Sequence, residues 1–176
     1  MKVFEAIEAR RSVRNYLPKP VEPWKLRRLL EVARLSPSAR NLQPWELVVV
    51  TDAKLRRRLV LACFLQRFVG EAPVFIAGVI DPKNKWAPTD LAIALQQLAL
   101  EAVELGLGTC WIGAFSERLV KRLLGIPKDR RVFVCMTVGY PAKVPKPKPK
   151  KPLERLAYLN KYGASLTFKE ATDSPK

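Results

Sequence analysis

TDLAIALQQLALEAVEL, residues 89–105, is apolar nearly all round and is broken mainly by Gln96, Gln97, Glu101 and Glu104. A helix without a broad polar face has nothing to offer solvent, so this one belongs at the centre of a domain or in a subunit interface. GLGTCWIGAF, residues 106–115, follows directly, and Gly106 and Gly108 can end the helix by taking left-handed backbone angles. Thr109 to Phe115 then reads as a short strand or a tight extended loop.

Outward from this core the chain alternates strands and helices. Pro73 to Ile80 is a continuous apolar run of strand length, and Val132 to Tyr140 is another. Trp45 to Thr51 is a third, whose Val48-Val49-Val50 run predicts burial on both faces. A short helix is expected over residues 3–9, and a second from Pro23 to before Pro37, with Leu26, Leu29, Leu30 and Ala33 opposite Lys25, Arg27, Arg28 and Glu31. Asp52 and Ser116 are placed to cap two more, the first burying Leu55, Leu59, Ala62 and Cys63, the second closed by Gly125 and Pro127. A short helical insertion is expected between Ile80 and Thr89. Helix-length crossovers between strands predict an α+β or α/β sandwich, not an up-and-down bundle.

Composition narrows the function. With 176 residues, 48% of them hydrophobic, the chain can build one core. We expect a single domain over 1–163, a proline- and lysine-rich extended arm over 141–152 within it, and a flexible tail over 164–176. No apolar run approaches a membrane span, the first residues carry charges where a signal peptide needs an apolar core, and Cys63, Cys110 and Cys135 are isolated. A reduced cytoplasmic setting without membrane contact is expected. Histidine is absent, which removes the usual nucleophile–histidine engines and zinc sites, so no metal is expected and a bound cofactor is the obvious candidate to carry any chemistry. The formal charge of +16 favours polyanions, including phosphorylated cofactors. The basic residues are nevertheless scattered over helix faces or gathered in the arm, which fits a solvated basic surface better than a nucleic-acid interface.

Three segments could carry binding. Arg10-Arg11-Ser12-Val13-Arg14 sets three guanidiniums and a hydroxyl at a helix end, a phosphate grip or simply a basic turn. Ser36 to Trp45, containing Pro37, Ser38, Asn41 and Gln43, is a polar loop entering a strand, a ligand contact or a plain turn. In Gly106 to Phe115 the glycines would let a flat ring approach the backbone, although Trp111 also suits a core strand. No G-x-G-x-x-G fingerprint is present.

In this order and spacing the three segments resemble the nitroreductase family of flavoproteins, over about residues 2–155. Arg10 to Arg14 is similar to its R-[RHS]-S-x-[RK] opening, Pro37 to Trp45 to its P-S-x-x-N-x-Q-P-W loop, and Gly106 to Gly113 to its G-L-G-x-x-W-I-G segment. The resemblance implies an α/β sandwich with a central mixed sheet flanked by helices, in an interlocked homodimer that binds FMN at the subunit interface. It implies that Arg10, Arg11 and Ser12 hold the FMN phosphate and ribityl chain, and that Arg14 lies near the pyrimidine edge. Pro37, Ser38, Asn41 and Gln43 would reach the same flavin from the other subunit. Trp111 and the backbone of Ile112 and Gly113 would border it near N5, and Gln66 would add a polar contact. Lys150 and Lys151 resemble a basic pair that closes on the phosphate, with Lys148 a rival in this register. The implied reaction is ping-pong hydride transfer from NADH or NADPH to a small electron-poor acceptor, a nitroaromatic or quinone. The same fold also hosts dehalogenation, flavin fragmentation and peptide-azoline oxidation. A flavin carrier without turnover and a basic nucleic-acid binder are the readings outside catalysis.

Overall fold

The computed structural model describes residues 2–166, which fall into two compact units divided after Pro145. The first unit is layered around a four-stranded sheet: β1 (Trp45–Val50), β2 (Val74–Ile80), β3 (Gly108–Ile112) and β4 (Arg131–Gly139) lie in the order β1-β2-β4-β3. The four strands pair antiparallel, and the parallel component of the sheet is an isolated bridge between Ser12 and Thr109.

Alternation along the central strands fills both faces. Phe75, Ala77, Val79 and Cys135 enter a cluster with α3 (Ala53–Ala62), α4 (Phe68–Glu71) and α6 (Glu117–Leu124), through residues such as Leu59, Val69 and Val120. Val74, Ile76, Val134 and Met136 enter the opposite cluster, with α2 (Pro23–Arg34) and α5 (Ala87–Glu104). Helix α5 is the apolar helix of residues 89–105, begun two residues earlier. Leu91, Leu95 and Leu98 on it are fully buried, each contributing about 1.5–3 kcal/mol of transfer free energy. The remaining helix, α1 (Val3–Ala9), leaves Val3, Phe4 and Ile7 exposed. Among the described residues no helix is long and apolar enough to cross a membrane.

Both expected caps form: Asp52 Oδ1 accepts from Leu55 N at 2.6 Å and Ser116 Oγ from Leu119 N at 3.4 Å. Three local expectations change. Strand β1 is an edge strand, so Val48 and Val49 are only partly buried, because an apolar run does not reveal where a strand sits in its sheet. Gly106 has φ +72° and ends α5 as expected, but Gly108 is the first residue of β3, and a Cβ there would lie 2.5 Å from Val13 Cγ2. Its hydrogen side chain serves a close approach, not a turn. Between Ile80 and α5 the chain makes hydrogen-bonded turns, with Asn84 N donating to Asp81 O and Ala87 N to Asn84 O, in place of a separate helix.

The arm begins in the first unit, where Tyr16 bridges Pro141 and Ala142 N donates to Asn15 O at 2.9 Å. In the second unit residues 146–152 have no regular structure, a 3-10 turn forms at Leu153–Arg155, and the Tyr158 and Tyr162 rings lie 4.9 Å apart. Of the tail expected over 164–176, residues 167–176 lie outside the described residues.

Candidate functional site

Helix α1 stops at Arg10, whose backbone turns extended at φ −58°, ψ 126°. The following residues are stitched to the β3–β4 side of the sheet: Val13 N donates to Thr109 O at 2.9 Å and Leu17 N to Tyr140 O at 2.9 Å. The Tyr16 hydroxyl donates to Val13 O at 2.8 Å and meets Thr137 Oγ1 at 2.8 Å inside the core. An extended chain turns alternate side chains to opposite sides. Val13 is buried in the cluster beneath, while Arg10 and Ser12 are partly exposed and Arg14 is exposed.

The row is cationic and largely uncommitted. Among the described residues Arg10, Arg11 and Arg14 have no carboxylate partner; the Arg14 guanidinium lies 5.9 Å from the Phe68 ring centroid. Arg11 Nη1 donates to Glu8 O and Arg10 O, which fixes the end of α1, while its buried Nε has no partner. The Thr109 hydroxyl, on the residue bridged to Ser12, is also buried without a partner. Burial pushes the Cys110 thiol above its ordinary range, and the Arg14 and Arg10 charges pull the other way, so both guanidiniums act on β3. Burial pushes Cys63 up to about 12 and Cys135 well above its ordinary value, so neither thiol supplies a thiolate nucleophile at neutral pH.

Along β3, Trp111 is half-buried on the α5 face, Ile112 is buried, and Gly113 is exposed with nothing within 4 Å of where a Cβ would stand. Gln66 joins this region, its Nε2 donating to Cys63 O and to Ala114 O, both at 2.9 Å. The amide thereby ties the left-handed Phe64-Leu65 turn to the residues after β3.

The polar loop lies elsewhere. Pro37 and Ser38 lead into a 3-10 turn at Ala39–Asn41, Ser38 Oγ accepts from Gln43 N at 3.0 Å, and Gln43 Nε2 donates to Asn41 Oδ1 at 3.0 Å. Arg40, Asn41 and Gln43 all hold positive φ, 53°, 56° and 48°. Such angles cost non-glycine residues of order 1 kcal/mol or more each, so surrounding bonds must impose them. One imposing group escaped the sequence reading: Asp90, 4% exposed in the first turn of α5, whose Oδ2 accepts from Ala39 N at 3.2 Å. An acid at the start of an otherwise apolar helix was the available signal, although helix-dipole compensation gives the same pattern. Asp90→Ala should cost about 1–2 kcal/mol, or roughly 2–8 °C in melting temperature, and Asp90→Asn should retain most of it. An unchanged melting curve for the alanine variant would remove Asp90 from this role.

The predicted residues thus form two groups in the first unit. Arg10, Arg11, Ser12, Arg14, Gln66, Trp111, Ile112 and Gly113 gather at the β3 edge, and Pro37, Ser38, Asn41 and Gln43 sit where the chain enters β1 at the opposite edge. Three strand spacings separate those edges, about 14 Å. Asp90 also lies twelve residues along α5 from Ala102, the acceptor of Leu107 N just before β3, a rise of about 18 Å. Lys148, Lys150 and Lys151 are exposed in the second unit. Among the described residues no cluster of histidine, cysteine, aspartate or glutamate could hold a metal ion.

The chain is similar to known proteins in sequence and fold. The Nitroreductase family pattern matches residues 7–79 and 61–140. An NADH dehydrogenase of Thermus thermophilus is 32% identical over 185 residues, covering 84% of this chain and 90% of that protein. Among solved structures, an FMN-dependent nitroreductase from Clostridium difficile superposes with a TM-score of 0.81 at 28% identity, over 90% of this chain and 99% of its own. An NADPH:FMN oxidoreductase from Vibrio harveyi complexed with NAD+ superposes at 0.85 with 27% identity, over 91% of this chain and 77% of its own. The chain is a member of the nitroreductase family.

Proposed function

We propose that the protein is an FMN-dependent NAD(P)H oxidoreductase that passes hydride to a small electron-poor acceptor, a nitroaromatic or quinone, and works as a homodimer. The observation that carries this reading is the row Arg10–Ser12–Arg14, cationic and without carboxylate partners among the described residues, fixed to β3 at Thr109. Guanidiniums and hydroxyls suit a phosphate and a ribityl chain, and the partnerless Arg11 Nε and Thr109 hydroxyl beside Ser12 add polar capacity there. When bound, FMN supplies a two-electron relay at N5, which requires no histidine.

In this reading Arg10, Arg11 and Ser12 bind the phosphate and ribityl chain. Arg14 holds its charge at the pyrimidine edge and favours the electron-rich form of the ring there. Trp111, Ile112 and Gly113 form the wall beside N5, and the uncovered Gly113 leaves room for donor and acceptor in turn. Gln66 positions that wall through Ala114 O, which uses both protons of its amide and leaves only its carbonyl for a ligand. Lys150 and Lys151, or Lys148, would add cations for the phosphate.

The separation of the two groups supports a second copy. Pro37, Ser38, Asn41 and Gln43 stand at the edge of the sheet opposite the Arg10–Arg14 row, which suits a ligand reached from two chains. The exposed Val3, Phe4 and Ile7 of α1 supply apolar surface that a partner would cover.

The test is direct. The purified protein should be yellow, release FMN on denaturation, and bleach with NADH or NADPH under argon. A colourless protein that takes up no added FMN sinks the reading, and a yellow one that no nicotinamide bleaches makes it a carrier.

A further inference from the structure

A depression of about 710 Å³ lies between the Ala39–Asn41 turn and the turns of residues 81–86. Arg40, Lys83 and Lys85 line it against a single carboxylate, Asp81. Asp81 Oδ1 already accepts the backbone N–H of Lys83 at 2.9 Å, and none of the three cations has an ion-pair partner among the described residues. Trp86 completes the lining with an indole that is 49% exposed, with Lys85 Nζ 5.2 Å from its ring centroid. Cations beside an accessible flat ring are the donor set for a phosphorylated nucleoside: the ring stacks a base and the cations take phosphate. The volume falls within the ordinary range for small-ligand sites.

The frame is also fixed in advance. Asn84 Oδ1 accepts Trp86 N at 2.9 Å and Asn84 O accepts Ala87 N at 3.1 Å, which sets the indole at the start of α5. Arg40 is held at φ 53° by the turn that Asp90 anchors. In sequence Arg40 stands between Ser38 and Asn41, two of the four loop residues read above as flavin contacts.

We infer that Arg40, Lys83, Lys85 and Trp86 form a subsite for the phosphorylated adenosine half of the nicotinamide donor. This rests on the proposed oxidoreductase reading: a donor with its nicotinamide on the flavin runs its far half past Arg40 into the depression. The phosphate met there could be the pyrophosphate common to both donors or the 2′-phosphate of NADPH.

The experiment compares Lys83→Ala/Lys85→Ala and Trp86→Ala with the parent and with Lys54→Ala/Arg57→Ala, a charge-matched change on the exposed side of α3. Steady-state kinetics with each donor and one neutral quinone are read beside calorimetric titration of adenosine 2′,5′-bisphosphate, which needs no flavin. Losing two charge-assisted contacts should raise the donor KM about tenfold or more, with kcat and the quinone KM unchanged. A rise confined to NADPH assigns the 2′-phosphate, and an equal rise for both donors assigns the pyrophosphate; either supports the subsite. Bisphosphate binding that the lysine variant loses and the control keeps supports it even in protein that bleaches with neither donor, where only the oxidoreductase reading would fail. Unchanged donor KM values, an equal loss in the control, or no bisphosphate binding to the parent at millimolar concentration overturns the inference.

Discussion

Arg10→Ala/Ser12→Ala should abolish FMN retention while leaving the apoprotein folded. A hydrogen bond to a charged group contributes about 1.5–3 kcal/mol and a neutral one about 1 kcal/mol, so together they should weaken FMN by two to three orders of magnitude. The fold should survive because neither side chain makes a hydrogen bond among the described residues. The segment is held instead by main-chain bonds, from Val13 N to Thr109 O and from Leu17 N to Tyr140 O. Arg11 is left in place because its guanidinium secures the end of α1. Fluorescence titration with FMN gives the affinity, and a melting curve of apoprotein gives the control. Full occupancy in the double variant would show that the phosphate is held elsewhere, with Lys148, Lys150 and Lys151 the next cations to test.

The elements behind this prediction were legible in the sequence to different degrees. Periodicity and caps are local, so the apolar α5 and the Asp52 and Ser116 caps could be read from neighbouring residues. The order β1-β2-β4-β3 is not local: nothing in Val48-Val49-Val50 distinguishes an edge strand from a central one. The same limit hid the separation of the site. Arg10 to Arg14 and Pro37 to Trp45 stand at opposite edges of the sheet, and the proposed site draws on two copies for that reason. Gln66 could be identified as polar at an interesting position but not as a clamp on Ala114 O, because that bond spans 48 residues. Asp90 was hidden similarly, since its partner Ala39 lies 51 residues away.

Gly108 offers the strongest test of how the fold places the proposed phosphate row. In Gly108→Ala the new Cβ would stand 2.5 Å from Val13 Cγ2 and 2.9 Å from Val13 Cβ. Val13 cannot easily yield, being 3% exposed, packed in the core and tied through its backbone to Thr109 O. Overpacking of this kind costs about 1–3 kcal/mol, or roughly 2–12 °C in melting temperature for a domain of this size. The strain should also displace Ser12 and Arg14, on either side of Val13, so FMN affinity should fall beyond what lost stability explains. Val132→Ala is the comparison: it trims a buried side chain of the same cluster, seven residues along β4 from Gly139, the partner of Gly108, about 23 Å away. It should lower the melting temperature and leave FMN binding unchanged. Combining Gly108→Ala with Val13→Ala removes the methyl groups in collision, so the pair should be less destabilised than the two single changes summed, a coupling that distant sites do not show. If Gly108→Ala binds FMN like the parent, the row is not positioned by this contact. If the pair is merely additive, the contact between Gly108 and Val13 does not set the cost.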